Sequence, residues 1–143
     1  MSGVKLPEIV EKMNLKNLTP EVDITEREVL VPDVNRPALQ LAGFFDHFDL
    51  NRVQIIGNVE CAYLETLEEE KRVEIYQKLL EHKVPCIIFS NELQPDESFI
   101  EIAQKNDIPV FGTCKKTSSF MGELIRWLNV KLAPCISIHG VLV

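Results

Sequence analysis

This 143-residue sequence contains no apolar run longer than a few residues. No helix read from it spans a bilayer, which takes about 20 consecutive apolar positions, so no membrane association is expected. A basic excess is missing as well. Lys and Arg number 15 against 22 Asp and Glu, a formal net charge of −7, whereas a nucleic-acid binder carries a basic patch. The opening Met1-Ser2-Gly3-Val4-Lys5-Leu6-Pro7 lacks the extended apolar core of a signal peptide, which sets the expectation of a cytoplasmic protein. Paired cysteines are also absent: Cys61, Cys86, Cys114 and Cys135 form no C-x-x-C, and His47, His82 and His139 have no partner at ligand spacing. No metal site is therefore expected. Cys86, Cys114 and Cys135 sit at or beside expected strands, where a free thiol behaves as a small buried hydrophobe, consistent with a reducing compartment. The sequence has no G-x-x-x-x-G-K-[ST], no G-x-G-x-x-G and no G-x-S-x-G. Phosphate loop, dinucleotide fingerprint and nucleophile elbow are thus excluded from these residues, and a free-standing enzyme is not expected.

What is present is an ordinary globular composition, 45% hydrophobic and 26% charged, long enough for one core. Leu6, Ile9, Val10 and Met13 fall at i, i+3, i+4 and i+7, predicting an amphipathic helix with Pro7 in its first turn. Residues 15–27 read as a polar connection and residues 28–31 as a short strand. Arg36 to Ala42 should form a helix opened by Pro37 and stopped by Gly43. Val53 to Gly57 reads as a strand, followed by a short helix around residues 59–67. Residues 68–82 give the clearest helix, with Glu68, Glu69 and Glu70 at its positive end and Val73, Tyr76, Leu79 and Leu80 as the buried stripe. Residues 86–89 predict a strand. Phe99, Ile102 and Ala103 mark a helix starting near Pro95 and Asp96. Val110-Phe111 predicts another strand, and Phe120, Leu124, Trp127 and Leu128 stripe a last helix entering a loop at residues 131–134.

Short apolar strands at 53–57, 86–89 and 109–112, separated by helices, predict a mostly parallel sheet covered by helices in one compact α/β domain.

Two segments carry chemistry. The loop Gly112-Thr113-Cys114-Lys115-Lys116-Thr117-Ser118-Ser119 precedes the last helix, at the strand end where open α/β sheets bind ligands. Helix N-terminal amides, hydroxyls and two ammonium groups there suit a phosphate or phosphosugar, with Thr113, Lys115, Lys116, Thr117 and Ser118 as the anion-binding candidates. The simpler reading makes Thr117, Ser118 and Ser119 helix caps. The segment Leu39 to Phe48 concentrates three of the seven phenylalanines, as a partner-docking surface or as a helix end folded into the core. Just before it, Arg36 suits an acidic partner, within the chain or across an interface.

The last nine residues, Cys135-Ile136-Ser137-Ile138-His139-Gly140-Val141-Leu142-Val143, read as a strand with no polar tail. That sets the expectation that the chain has been cut from a longer one. Within this strand His139 is the residue of chemical interest. Imidazole as a group changes charge near neutral pH and Gly140 allows close approach, although a histidine among apolar residues is also an ordinary half-buried side chain.

Four blocks resemble, in order, the N-terminal domain of the bacterial HPr kinase/phosphorylase family. They are Asn35-Arg36-Pro37 with Leu41-Ala42-Gly43-Phe44-Phe45, residues 52–57, Val84-Pro85-Cys86-Ile87-Ile88, and Lys131-Leu132-Ala133-Pro134 with His139-Gly140-Val141-Leu142-Val143. The resemblance implies an enzyme that phosphorylates a serine of the phosphocarrier HPr, removes it by phosphorolysis and controls carbon catabolite repression. It implies a hexamer whose N-terminal domains project from a kinase core. It further implies that residues 1–134 form an assembly or regulatory domain similar in fold to the first domain of muramyl ligases, and that residues 135–143 begin the strand leading into a P-loop kinase domain. A histidine matching His139 belongs to the family's active site. The P-loop, the magnesium ligand and the catalytic aspartate would all lie past Val143. No cofactor is then expected in this chain, ATP and Mg2+ are expected in the rest of the protein, and the chain alone is expected to be inactive. The muramyl-ligase likeness also suggests an alternative, a module binding a phosphorylated metabolite or nucleotide sugar at residues 112–119.

Overall fold

The computed structural model describes residues 3–133. Cys135, His139, Gly140 and the strand expected around them lie outside the described residues. The element order is β1 (Val4–Lys5), α1 (Leu6–Met13), β2 (Lys16–Asn17), β3 (Glu28–Val29), β4 (Val34–Asn35), α2 (Ala38–Leu41), β5 (Val53–Ile56), α3 (Asn58–Glu65), α4 (Glu69–Leu80), β6 (Ile87–Phe89), α5 (Glu97–Lys105), β7 (Val110–Gly112) and α6 (Thr117–Leu132). A five-stranded sheet runs in the order β2-β7-β6-β5-β4, while β1 and β3 form a separate antiparallel pair. Strands β4, β5, β6 and β7 are mutually parallel, and β2 joins β7 antiparallel at the edge. The expected α/β domain with a mostly parallel, short-stranded sheet is what the structure shows.

Strand alternation sends successive side chains to opposite faces, and here it divides the core in two. Val53, Ile55, Ile88 and Phe111 meet α1 and α6 through Leu6, Ile9, Phe120, Leu124 and Leu128. Ile56, Ile87, Phe89 and Val110 meet the other layer through Leu41, Leu64, Leu79, Phe99 and Ala103. Every residue of β5 and β6 is buried, which explains their near-continuous apolar sequence.

Several expectations are corrected. The segment read as a polar connection contains β2, and beyond it Leu18 N donates to Val110 O at 2.9 Å and Val110 N to the buried Thr19 Oγ1 at 2.9 Å. Such pairing partners lie some ninety residues away, so local pattern does not reveal them. Pro37 precedes α2 as its cap instead of opening it. Gly43, just beyond α2, adopts φ +101°, a conformation glycine takes without a Cβ penalty. In α4 the buried residues are Ile75, Tyr76, Leu79 and Leu80, with Val73 only half-buried. That helix packs against both α5 and α2, which rotates its buried stripe. Ile102 and Trp127 are likewise half-buried, and α6 continues through Lys131 and Leu132.

Cys114 is exposed rather than buried, whereas Cys86 is buried and Cys61 half-buried. Burial pushes the Cys86 thiol up to about 12 from an ordinary 9.0. Thiolate is the reactive form, so in the native chain an alkylating reagent near neutral pH should modify Cys114 and spare Cys86 until denaturant is added. Peptide mass spectrometry reads the sites, and equal native labelling of the two would contradict the packing. The same burial fixes the sign of an alkaline effect. Above about pH 9 the unfolded chain ionises Cys86 while the folded chain does not, so this contribution to stability is lost between pH 9 and about 12.

Candidate functional site

The carboxyl ends of β4, β5, β6 and β7 converge, as they do in open α/β folds. Arg36 follows β4, Gly57 follows β5, Ser90 and Asn91 follow β6, and Thr113 follows β7. Arg36 does find its acidic partner, and it lies within the chain. Its Nε donates to Glu60 Oε2 at 3.0 Å and its Nη2 to Oε1 at 2.7 Å, the forked geometry a guanidinium gives a carboxylate. Glu60, only 2% exposed, also accepts the Gly57 N–H at 2.8 Å. This is capping-box spacing, with the acid three residues past the cap. The N-terminus of α3, a natural anion site, is therefore occupied by the chain's own carboxylate. Gly57 is needed for this closeness: a Cβ there would lie 2.7 Å from Thr117 Oγ1 and 2.9 Å from Arg36 Nη2.

At α6 the sequence candidates separate. Thr117 is buried, and its Oγ1 lies 2.6 Å from Ser90 Oγ and accepts Asn91 Nδ2 at 3.0 Å. Thr113 is also buried, its hydroxyl accepting the Lys115 N–H at 3.2 Å. The Lys115 ammonium donates to Glu123 at 2.7 Å and holds that carboxyl below its ordinary range. Lys116 and Ser118 stay exposed. Thr117, Ser118 and Ser119 were the expected caps, but Lys116 occupies the N-cap position and makes no side-chain cap bond. The Thr117 hydroxyl is already engaged by the end of β6, so a tertiary bond displaces the local one. Sequence reasoning missed Ser90, Asn91 and Glu60. The available signals were two polar residues directly after the apolar run Ile87–Phe89 and a glutamate three past Gly57. Asn91 and Glu92 are consecutive residues at φ 58° and 57°, held there by Asn91 N to Lys115 O at 2.8 Å and Glu92 N to Thr113 O at 2.9 Å. Such conformations are uncommon for glutamate.

A concavity of about 180 Å³ lies among α3, α4 and α5, lined by Cys61, Tyr76, Arg72, Asp96 and Phe99 among others. Burial, then the charges of Glu60 and Glu65, pushes the Cys61 thiol up to about 11. Burial and the hydrogen bond to Asp96 raise Tyr76 as well. Both groups keep their protons at neutral pH, so neither is an activated nucleophile. Among the described residues no cluster of His, Cys, Asp and Glu could hold a metal ion, and no helix is long and apolar enough to cross a membrane.

Comparison with known proteins adds one family match, two relatives and one solved structure. The family model described as "HPr Serine kinase N terminus" matches residues 4–128. The chain is 57% identical to the HPr kinase/phosphorylase of Lachnoclostridium phytofermentans over 143 residues, all of this chain and 46% of that protein. It is 42% identical to that of Caldicellulosiruptor bescii over 135 residues, 94% of this chain and 43% of that one. The chain thus spans less than half the length of these relatives. Among solved structures, it is similar to the CBS and DRTGG domains of the regulatory region of Clostridium perfringens pyrophosphatase, complexed with its activator diadenosine tetraphosphate. That likeness has a TM-score of 0.59 at 20% identity over 87% of this chain and 47% of that one, a likeness of fold alone.

Proposed function

The chain belongs to the HPr serine kinase N-terminal family, and from that membership we propose that it is the non-catalytic N-terminal domain of an HPr kinase/phosphorylase, serving assembly or regulation. The carrying observation is the asymmetry of the match: a relative 57% identical aligns with all of this chain, yet only 46% of its own length is used. The absence of a phosphate-loop motif supports the same division of labour, since phosphoryl transfer depends on positioned phosphate and metal contacts. The whole protein, in this reading, is cytoplasmic and hexameric, and uses ATP and Mg2+ to phosphorylate a serine of HPr, reversing the step by phosphorolysis. Residues 1–134 form the accessory domain, and residues 135–143 lead into the kinase domain.

His139 belongs to the catalytic side of that boundary, donating to or stabilising a phosphate oxygen. In the full-length protein His139→Ala is expected to slow kinase and phosphorylase rates about a hundredfold. Wild-type rates in a folded variant would return His139 to the role of an ordinary core side chain. The alternative of an anion site at residues 112–119 draws less support, because Thr113, Lys115 and Thr117 already bond within the fold.

Removing residues 1–134 from the full-length protein tests the division directly. The remainder should keep ATP-dependent phosphorylation of HPr while its assembly or its regulation changes. A folded remainder with no phosphoryl transfer would place catalytic groups in the accessory half and contradict the proposal.

A further inference from the structure

The 180 Å³ concavity among α3, α4 and α5 has the composition of a small-molecule site, an apolar lining with a few fixed polar groups. It lies beside the carboxyl end of the sheet, because Phe89, the last residue of β6, is part of its wall. Open α/β sheets hold ligands at that edge. Its floor is aromatic. Tyr76 and Phe89 each meet Phe99 edge to face, at centroid distances of 5.1 and 5.2 Å. Two further concavities, beside β3 and beside β2, contain no aromatic ring.

The polar wall is built around Asp96. This residue holds the N-cap position of α5 but makes no side-chain cap bond. Its Oδ2 instead accepts the Tyr76 hydroxyl at 2.5 Å and Arg72 Nε at 3.2 Å, while Arg72 Nη1 donates to Leu67 O at 2.6 Å. The carboxylate is thus set in place within the fold, and preorganisation removes an ordering cost from binding. Among the described residues no donor meets Asp96 Oδ1, which keeps its capacity to accept.

Charge and volume narrow the ligand. The charged groups of the lining are Glu65, Asp96 and Arg72, two carboxylates against one guanidinium that is already paired with Asp96. An anion is therefore disfavoured. Cys61 and Tyr76, both with raised pKa values, present neutral groups. An apolar cavity of about 150 Å³ takes up benzene, so 180 Å³ suits one ring or a small fused pair. We propose that this concavity binds a small planar nitrogen heteroaromatic, uncharged or cationic. Its ring lies against Tyr76, Phe89 and Phe99, and its N–H donates to Asp96 Oδ1. The inference goes beyond the accessory-domain reading and does not depend on it, since the site needs only this fold.

Titration of the nitrogen-15-labelled chain with benzimidazole, followed by amide chemical shifts, is the test. The shifts should saturate with a Kd of about 1 mM or tighter, in keeping with so small a ring. They should concentrate at residues 61–65, 72–76 and 94–99, which surround the concavity. Benzoate, an anionic ring, should leave those amides unmoved at the same concentrations. 1-Methylbenzimidazole lacks the N–H and should bind about tenfold more weakly, the loss of one hydrogen bond to a charged acceptor. Asp96→Asn should weaken benzimidazole by a similar factor with an unchanged circular dichroism spectrum, because Asp96 is about half exposed. The methylated ring makes the same comparison on the unaltered chain, so the result does not hang on the variant's folding. Absence of saturable shifts, shifts centred elsewhere, equal affinity for the two rings, or benzoate binding at the same amides overturns the inference. None of these outcomes touches phosphorylation of HPr, which tests the accessory-domain reading separately.

Discussion

Arg36→Ala is expected to lower the unfolding free energy by about 3–4 kcal/mol, although Arg36 itself is partly exposed. The cost arises at its partner. Glu60 is buried, and three of its accepted hydrogen bonds come from Arg36 Nε, Arg36 Nη2 and Gly57 N. Alanine removes two of them and the compensating cation, leaving a buried carboxylate with one backbone donor. Breaking a buried pair from one side typically costs about 3–5 kcal/mol, since the remaining charge has neither water nor counter-ion. The partial exposure of Arg36 puts the expectation toward the lower end. For a domain of this size that corresponds to a fall in Tm of roughly 10 °C. Adding Glu60→Gln to the variant should recover part of the loss, because a neutral amide there needs no cation. Urea unfolding near neutral pH measures both, and a loss under about 1 kcal/mol would mean that water satisfies Glu60 without help.

Phe99→Ala carries a comparable penalty by a different route. Phe99 is fully enclosed and meets Tyr76 edge to face at 5.1 Å and Phe89 at 5.2 Å. Removing the ring forfeits its transfer from water, leaves a cavity and ends both aromatic contacts. Such substitutions cost about 3–5 kcal/mol. Phe99 also lines the 180 Å³ concavity beside Cys61 and Tyr76, so the void should merge with it and admit water to Cys61. Faster alkylation of Cys61 in the variant would register this opening. A destabilisation under about 2 kcal/mol would show that α4 and α5 collapse into the space instead.

The parts of this fold that could be read from the sequence are those whose cause is local. β5, β6 and β7 are apolar on both faces because both faces are covered, and α1 and α6 announce themselves by a single buried stripe. The two-residue strands β1, β2 and β4 exist only through distant partners, so no periodicity marks them. Ile75 was missed because α4 packs against both α5 and α2, which turns its buried face away from the stripe that spacing alone suggests. The site divides in the same way. That Arg36 needs an acid follows from its chemistry, but that the acid is Glu60, twenty-four residues on, requires the sheet to bring β4 and β5 together. The Ser90–Thr117 contact is likewise a product of parallel strands ending side by side. Cys114, read as a small buried hydrophobe at or beside a strand, is in fact exposed beyond one.

The central claim, that this chain is the accessory half of a divided enzyme, is tested most directly by incubating it with HPr, ATP and Mg2+ and following phosphoserine by mass spectrometry. No phosphoserine should form above the no-enzyme control, while the full-length protein under the same conditions is expected to phosphorylate HPr. ATP-dependent serine phosphorylation by the 143-residue chain, freed of contaminating kinase, would contradict the account.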